Sequence, residues 1–115
     1  MPVRSLNSSV LVWPDRDRVI REARRWARVV ASEPGGVQRI GYFGSYARGD
    51  CGVGSDLDLV AIVERSDEPF VQRSARWPTE TLPVPADLIV YTTGEWERLA
   101  TTQSRFARAL RRETI

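Results

Sequence analysis

Gly54-Ser55-Asp56-Leu57-Asp58-Leu59-Val60-Ala61-Ile62-Val63 is the stretch on which the reading of the chain turns. From Leu57 to Val63 it is almost continuously apolar, the pattern of a central strand covered on both faces. Asp56 and Asp58 stand two apart at its start. Side chains alternate along a strand, so both carboxylates project the same way, with Cα atoms about 6.5 Å apart. Two anions so placed raise each other's pKa unless a cation joins them. Hard oxygen ligands on a rigid strand suit Mg²⁺ or Mn²⁺.

Upstream, Val37 to Phe43 reads as a first strand that ends at Gly44-Ser45. Ser45 then begins a short helix through Tyr46, Ala47 and Arg48. Glycine offers no Cβ, and free N–H groups with a hydroxyl at a helix start make a place for phosphate. Gly49 to Ser55 is rich in Gly, Asp and Ser and reads as a loop. Further upstream, Asp15 to Ser32 is an amphipathic helix. Val19, Ile20, Ala23, Trp26, Ala27 and Val30 form its apolar stripe, and arginines fill much of the remainder, a face read as solvated, with an acidic partner or a nucleic acid as the alternatives. Pro14 before it and Pro34-Gly35-Gly36 after it serve as start and stop signals.

Downstream, Ser66 is placed to cap a short helix with Asp67 and Glu68 in its first turn, ending at Trp77-Pro78. Pro83 and Pro85 lead into a third strand, Ala86 to Tyr91. It carries Asp87 beside Leu88, Ile89 and Val90, and a carboxylate among apolar neighbours needs a partner or a metal. If this strand lies beside Leu57–Val63, Asp87 joins the Asp56/Asp58 pair. Three carboxylates can hold two metals, which stabilise attacking and leaving oxygens in a phosphoryl displacement. Thr92 and Glu95 have capping-box spacing before a last helical stretch through Trp96, Leu99, Phe106 and Leu110. The order helix, strand, strand, helix, strand, helix predicts a mixed α/β or α+β fold, in one domain spanning residues 1–115.

Composition narrows the chemistry. The chain has 115 residues, 42% of them hydrophobic and 28% charged, an ordinary globular balance. It has no histidine, which excludes Ser-His-Asp and Cys-His catalysis and the usual zinc sites. Cys51 is the only cysteine, so no internal disulfide forms and a cytoplasmic location is expected. Cys51 lies in the exposed glycine-rich loop with no supporting catalytic residue. No apolar run reaches the ~20 residues of a membrane span, and Met1 to Trp13 lacks the pattern of a signal peptide. The 17 basic residues are all arginine, but a net charge of +2 does not point to nucleic acid. Arg48 is a candidate phosphate contact, Ser55 a turn cap, and Tyr46 either a nucleotide contact or core. Trp13, Trp26, Trp77 and Trp96 read as core or interface anchors. An EF-hand is excluded because Val60 stands at the fifth loop position and no loop glycine follows. The chain is also too short for a glycosyltransferase fold.

Taken together, the stretches Gly41-Tyr42-Phe43-Gly44-Ser45-Tyr46-Ala47-Arg48-Gly49-Asp50 and Gly54-Ser55-Asp56-Leu57-Asp58-Leu59-Val60 resemble the signature of the minimal nucleotidyltransferases of the DNA polymerase β-like superfamily. Pro85 to Tyr91 is similar to the strand that bears the third carboxylate in that family. The resemblance covers residues 37–100. It implies a nucleotidyltransferase fold, a small mixed sheet packed against helices, with an NTP, ordinarily ATP, and two Mg²⁺ ions at the sheet end. It further implies that Asp56, Asp58 and Asp87 ligate metal, that Asp87 helps activate the acceptor, and that Gly44 and Ser45 cradle the β- and γ-phosphates. The reaction would move a nucleoside monophosphate to an acceptor hydroxyl and release pyrophosphate. Minimal members commonly pair with a HEPN-domain toxin, and in some such pairs the nucleotidyltransferase adds AMP to a tyrosine of the toxin, which makes an antitoxin-type adenylyltransferase the leading expectation, with a homo-oligomer also in view. A binding module that neutralises its partner by contact, or an antibiotic-modifying transferase, are the alternatives.

Overall fold

The computed structural model describes residues 14–33, 36–99, 101 and 104–113. The expectations for Met1 to Trp13, including Trp13 as an anchor, and for the Pro34-Gly35 stop signal lie outside them.

Helix α1, Arg16–Ala31, has Asp15 as its N-cap, and the carboxylate Oδ1 accepts from the Arg18 amide at 2.8 Å. The cap is therefore Asp15, one residue after the proline start signal, because a carboxylate satisfies a first-turn amide and proline cannot. Val19, Ile20, Ala23 and Trp26 are its buried stripe. Six arginines against Asp17 and Glu22 cover the remainder. Like charges at i,i+4 oppose an isolated helix by roughly 0.2–0.5 kcal/mol per pair. Burial of the stripe must therefore carry α1.

Strand β1, Val37–Phe43, runs antiparallel to β2, Leu57–Val63, and β2 runs parallel to β3, Ala86–Thr92, giving the order β1-β2-β3. The apolar run was the right signal for the middle position: every residue of β2 is buried except half-buried Asp58. Leu57 and Leu59 pack under α1 with Val19, Ala23, Trp26 and Tyr46. Val60 packs on the other face with Tyr91, Phe43, Ile89, Trp96 and Leu110. The sheet is covered on both sides, as the expected α+β architecture requires. Helix α2 is a single turn, Ser45–Arg48.

Two expectations need correction. The segment after β2 does not start a helix at Ser66. A 3-10 helix occupies Phe70–Arg76 after Pro69 (φ −56°, ψ 145°), and the Ser66 hydroxyl instead accepts from the Glu68 amide at 3.2 Å. A residue before proline is pushed out of the helical region, so Glu68-Pro69 delays the helix past both acidic residues. The last helical stretch is also two helices, α3, Thr93–Leu99, and α4, Arg105–Glu113. Thr101 turns its amide and its hydroxyl back to the Arg98 carbonyl, at 3.1 and 2.9 Å, and Ser104 caps the next start by accepting from the Ala107 amide at 3.1 Å. The capping box ahead of α3 is formed in both directions. The Glu95 amide donates to Thr92 Oγ1 at 3.3 Å, and the Thr92 amide donates to Glu95 Oε1 at 2.8 Å.

Glu95 also holds Arg73, which is only 8% exposed. The Arg73 guanidinium meets Glu95 Oε1 at 2.6 Å and Oε2 at 3.2 Å, and donates to the carbonyls of Val90 (3.1 Å) and Glu68 (3.1 Å). This fork-on-fork pair locks the 3-10 helix to the far end of β3. It holds the Glu95 carboxyl down to about 2, chiefly through the Arg73 hydrogen bonds.

Candidate active site

The parallel register of β2 and β3 puts Asp58 directly opposite Asp87. Neighbouring strands lie about 4.8 Å apart, so the two carboxylates stand side by side. Asp56 is exposed, two residues before Asp58 and just outside β2. On the other side of β2, Phe43 is the partner of Asp58, which carries the chain directly into Gly44. All three acidic positions and the Gly44-Ser45 turn therefore converge at one end of the sheet. The adjacency on which the role of Asp87 depends is present.

One premise of the sequence reading is overturned. Asp87 is exposed and does not sit in an apolar environment. It is the second residue of β3, at the sheet's open end, so water reaches it although its strand continues apolar. Asp58 is the desolvated member. Burial raises its pKa most, the Asp87 charge raises it next and Asp56 after that, while Arg48 partly offsets them. A carboxylate held off water beside two further carboxylates attracts a cation.

Gly44 is required by that neighbour. Its φ of 73° and ψ of −146° belong to glycine, and a Cβ here would land on the Asp58 carboxylate inside van der Waals contact. The backbone at the turn can thus come close to whatever Asp58 holds. Ser45 follows, half-buried, and its hydroxyl has no protein partner among the described residues. As at any helix start, the first amides of α2 have no intrahelical acceptor. Arg48 is exposed, with its Nε 3.2 Å from Asp50 Oδ2. Its charge reaches Asp58, and its head lies at the rim.

The remaining candidates are structural. Tyr46 is 1% exposed and its hydroxyl donates to the Ser55 carbonyl at 3.5 Å, so it is core. Ser55 closes the loop, accepting from the Gly52 amide at 2.9 Å on Oγ and donating its own amide to the Gly52 carbonyl at 3.0 Å. Cys51 is half-buried against the α1-side core, where an exposed position was expected, because the loop folds back under Tyr46. Trp26 and Trp77 pack together with ring centres 6.1 Å apart, and Trp26 Nε1 donates to the Pro78 carbonyl at 3.0 Å. Trp96 packs on Tyr91 at 5.9 Å.

Two supporting residues had no signal in the sequence. Arg16 donates from Nε to the Tyr46 carbonyl at 2.9 Å and so fixes α2 against α1. Arg73 anchors β3 as described above. The contacts that matter, Arg16 to Tyr46 and Arg73 to Val90 and Glu95, span 17 or more residues of chain, beyond any local pattern.

The donor set fits a small hard cation. Among the described residues no three acidic side chains already close around one point. Magnesium does not require that, because it keeps waters and phosphate oxygens and uses one or two carboxylates. Asp58 and Asp87 are the adjacent pair, Asp56 is the nearby third, and the bare Gly44 leaves the approach open.

The nucleotidyltransferase domain model matches residues 23–110, from α1 through α4. The crystal structure, at 1.40 Å resolution, of a Sulfolobus solfataricus protein assigned as a nucleotidyltransferase superimposes with a TM-score of 0.57. It is 26% identical, with 72% of this chain and 75% of that one covered. No curated protein sequence matches. The chain belongs to the nucleotidyltransferase domain family, whose reaction transfers a nucleoside monophosphate. Among the described residues no helix is long and apolar enough to cross a membrane.

Proposed function

We propose that this chain is a Mg²⁺-dependent nucleotidyltransferase that moves AMP from ATP to a hydroxyl on a protein partner. The partner best suited to this reading is a helical HEPN-type toxin, with a tyrosine as acceptor. The observation that carries the transfer chemistry is Asp58 opposite Asp87, with Asp56 two residues before and Gly44 against Asp58. A chain acting by contact alone has no use for a desolvated carboxylate paired with Asp87 across the ladder and lying within the field of Asp56.

In this mechanism the Ser45 hydroxyl and the first amides of α2 donate to the departing phosphates, and Gly44 lets them approach closely. Asp56 and Asp58 would hold a magnesium ion, with Asp87 sharing it, and an ion held there would supply neutralisation of the negative charge that develops during transfer. Asp87, exposed at the strand end, accepts a hydrogen bond from the acceptor hydroxyl and orients it at the α-phosphorus. The new O–P bond forms as the bond to pyrophosphate breaks, and the hydroxyl proton passes towards the Asp87 carboxylate. Positioning and charge neutralisation account for the rate, in keeping with a chain without histidine.

The acceptor is tested by incubating the protein with ATP, Mg²⁺ and the product of a neighbouring gene. One AMP added to a tyrosine of that product, seen by mass spectrometry, supports the assignment. Neutralisation of the partner without modification, unchanged by Asp58→Asn, would support a binding module instead.

A further inference from the structure

The small net charge of the chain conceals a segregation. Helix α1 gathers six arginines against two acids, leaving the remainder of the chain net acidic. Arg21, Arg24 and Arg28 are exposed and line a groove of about 400 Å³ whose other wall includes Tyr42 of β1. No ion pair engages these three arginines among the described residues. Arg25, by contrast, turns to Glu22 at 3.4 Å. The three are spaced i, i+3 and i+7, so they form one row about 10 Å long. Such a row opposes its own helix by like-charge repulsion, which a structural face could avoid by alternating signs.

The groove is not part of the site already described. Tyr42 packs with the α1-side core and adjacent Phe43 with the opposite one, so the two point to opposite faces of the sheet. Asp58 and Asp87 share the Phe43 face by strand alternation.

We propose that this groove binds a single-stranded nucleic acid. Guanidinium groups pair bidentately with phosphate, and a 10 Å row matches about three stacked nucleotides at ~3.4 Å each. Tyr42 decides between a nucleic acid and an acidic peptide. A carboxylate ladder needs no ring, whereas a base stacks on one. The Tyr42 hydroxyl makes no protein hydrogen bond among the described residues, so the ring is not committed to a polar contact. Asp17 lies at the N-terminal mouth of the groove and limits the strand to the Arg21–Arg28 portion. The inference is independent of the transfer reaction.

The test is fluorescence anisotropy with a labelled oligouridylate of about 12 nucleotides, with inorganic polyphosphate and polyglutamate as competitors. Three phosphate contacts give a slope of log affinity against log salt near −2, from about −0.7 per contact on a single strand. The triple variant Arg21→Gln, Arg24→Gln, Arg28→Gln should lose at least tenfold in affinity. Its circular dichroism should match wild type, since the positions are exposed. Tyr42→Phe should bind as wild type, and Tyr42→Leu should lose about fivefold or more. Oligouridylate binding that survives the triple variant overturns the proposal. So does polyglutamate competing as well as oligouridylate, which would assign the groove to an acidic protein. Polyphosphate binding that equals oligouridylate and ignores Tyr42→Leu would leave only an oligophosphate site, and overturns it as well.

Discussion

Asp58 and Asp87 face each other across the parallel ladder of β2 and β3, and Asp58 is the one that has lost water. That asymmetry makes the site costly without a cation. A carboxyl whose folded pKa lies above its unfolded value destabilises the fold where it is ionised, and the cost vanishes as pH falls. Asp58→Asn should therefore leave the metal-free protein as stable as wild type near pH 4. Its advantage in melting temperature should grow as pH rises from there to 7. Differential scanning fluorimetry across that range measures it, and a destabilised variant at pH 7 would be inconsistent with the site.

Magnesium should reverse the order. A ligand that binds only the native state stabilises it according to its concentration over Kd. Wild type should gain melting temperature with Mg²⁺ and ATP, and Asp58→Asn should gain little.

Gly44→Ala should cost roughly 1–3 kcal/mol from its glycine-only backbone region and, by pressing on Asp58, reduce transfer by about tenfold or more. Gly49 is the internal control. It also has positive φ (87°), but a Cβ there meets nothing within 4 Å. Gly49→Ala should cost about 1 kcal/mol and leave turnover unchanged. Urea unfolding with a parallel activity assay separates the two.

Arg73→Met should cost about 1–3 kcal/mol, since it removes the Glu95 ion pair and leaves the Val90 carbonyl without its donor, while the partly exposed Glu95 keeps the Thr92 amide. The Glu95 carboxyl is held down, to about 2 from 4.5. Its contribution is therefore present above pH 4.5 and is lost as pH falls towards 2. Wild type should lose more stability than Arg73→Met across that window.

The three strands were legible because their apolar runs are continuous and bounded by Gly, Pro and Asp. β1 and β2 match residue for residue, and β3 gains only Thr92. Thr92 and Glu95 were legible as a reciprocal cap because both partners lie within one turn. The errors arose where two local signals compete. Ser66 has the chemistry of a cap, but Pro69 forbids the helix that would use it. The stretch after Leu99 keeps helical periodicity, yet Thr101 and Ser104 each offer the backbone a hydrogen bond that interrupts it. At the site, the placing of Asp56 and Asp58 at the start of a strand and of Gly44-Ser45 at the end of another followed from local pattern, while their roles rested on the family resemblance. The juxtaposition of Asp58 with Asp87 needed strand order, and the exposure of Asp87 needed the sheet's open end. Arg16 and Arg73 were invisible because their partners are remote in sequence.

The central claim is that Asp56, Asp58 and Asp87 form a centre for nucleotidyl transfer. The most direct measurement compares α-labelled with γ-labelled ATP, given Mg²⁺ and the neighbouring-gene product, for wild type and Asp58→Asn. Protein-bound label should arrive from the α position only, with release of pyrophosphate, and transfer should fall by a factor on the order of 10²–10³ in Asp58→Asn. Label arriving from the γ position, or α-label transfer undiminished in Asp58→Asn, would contradict it.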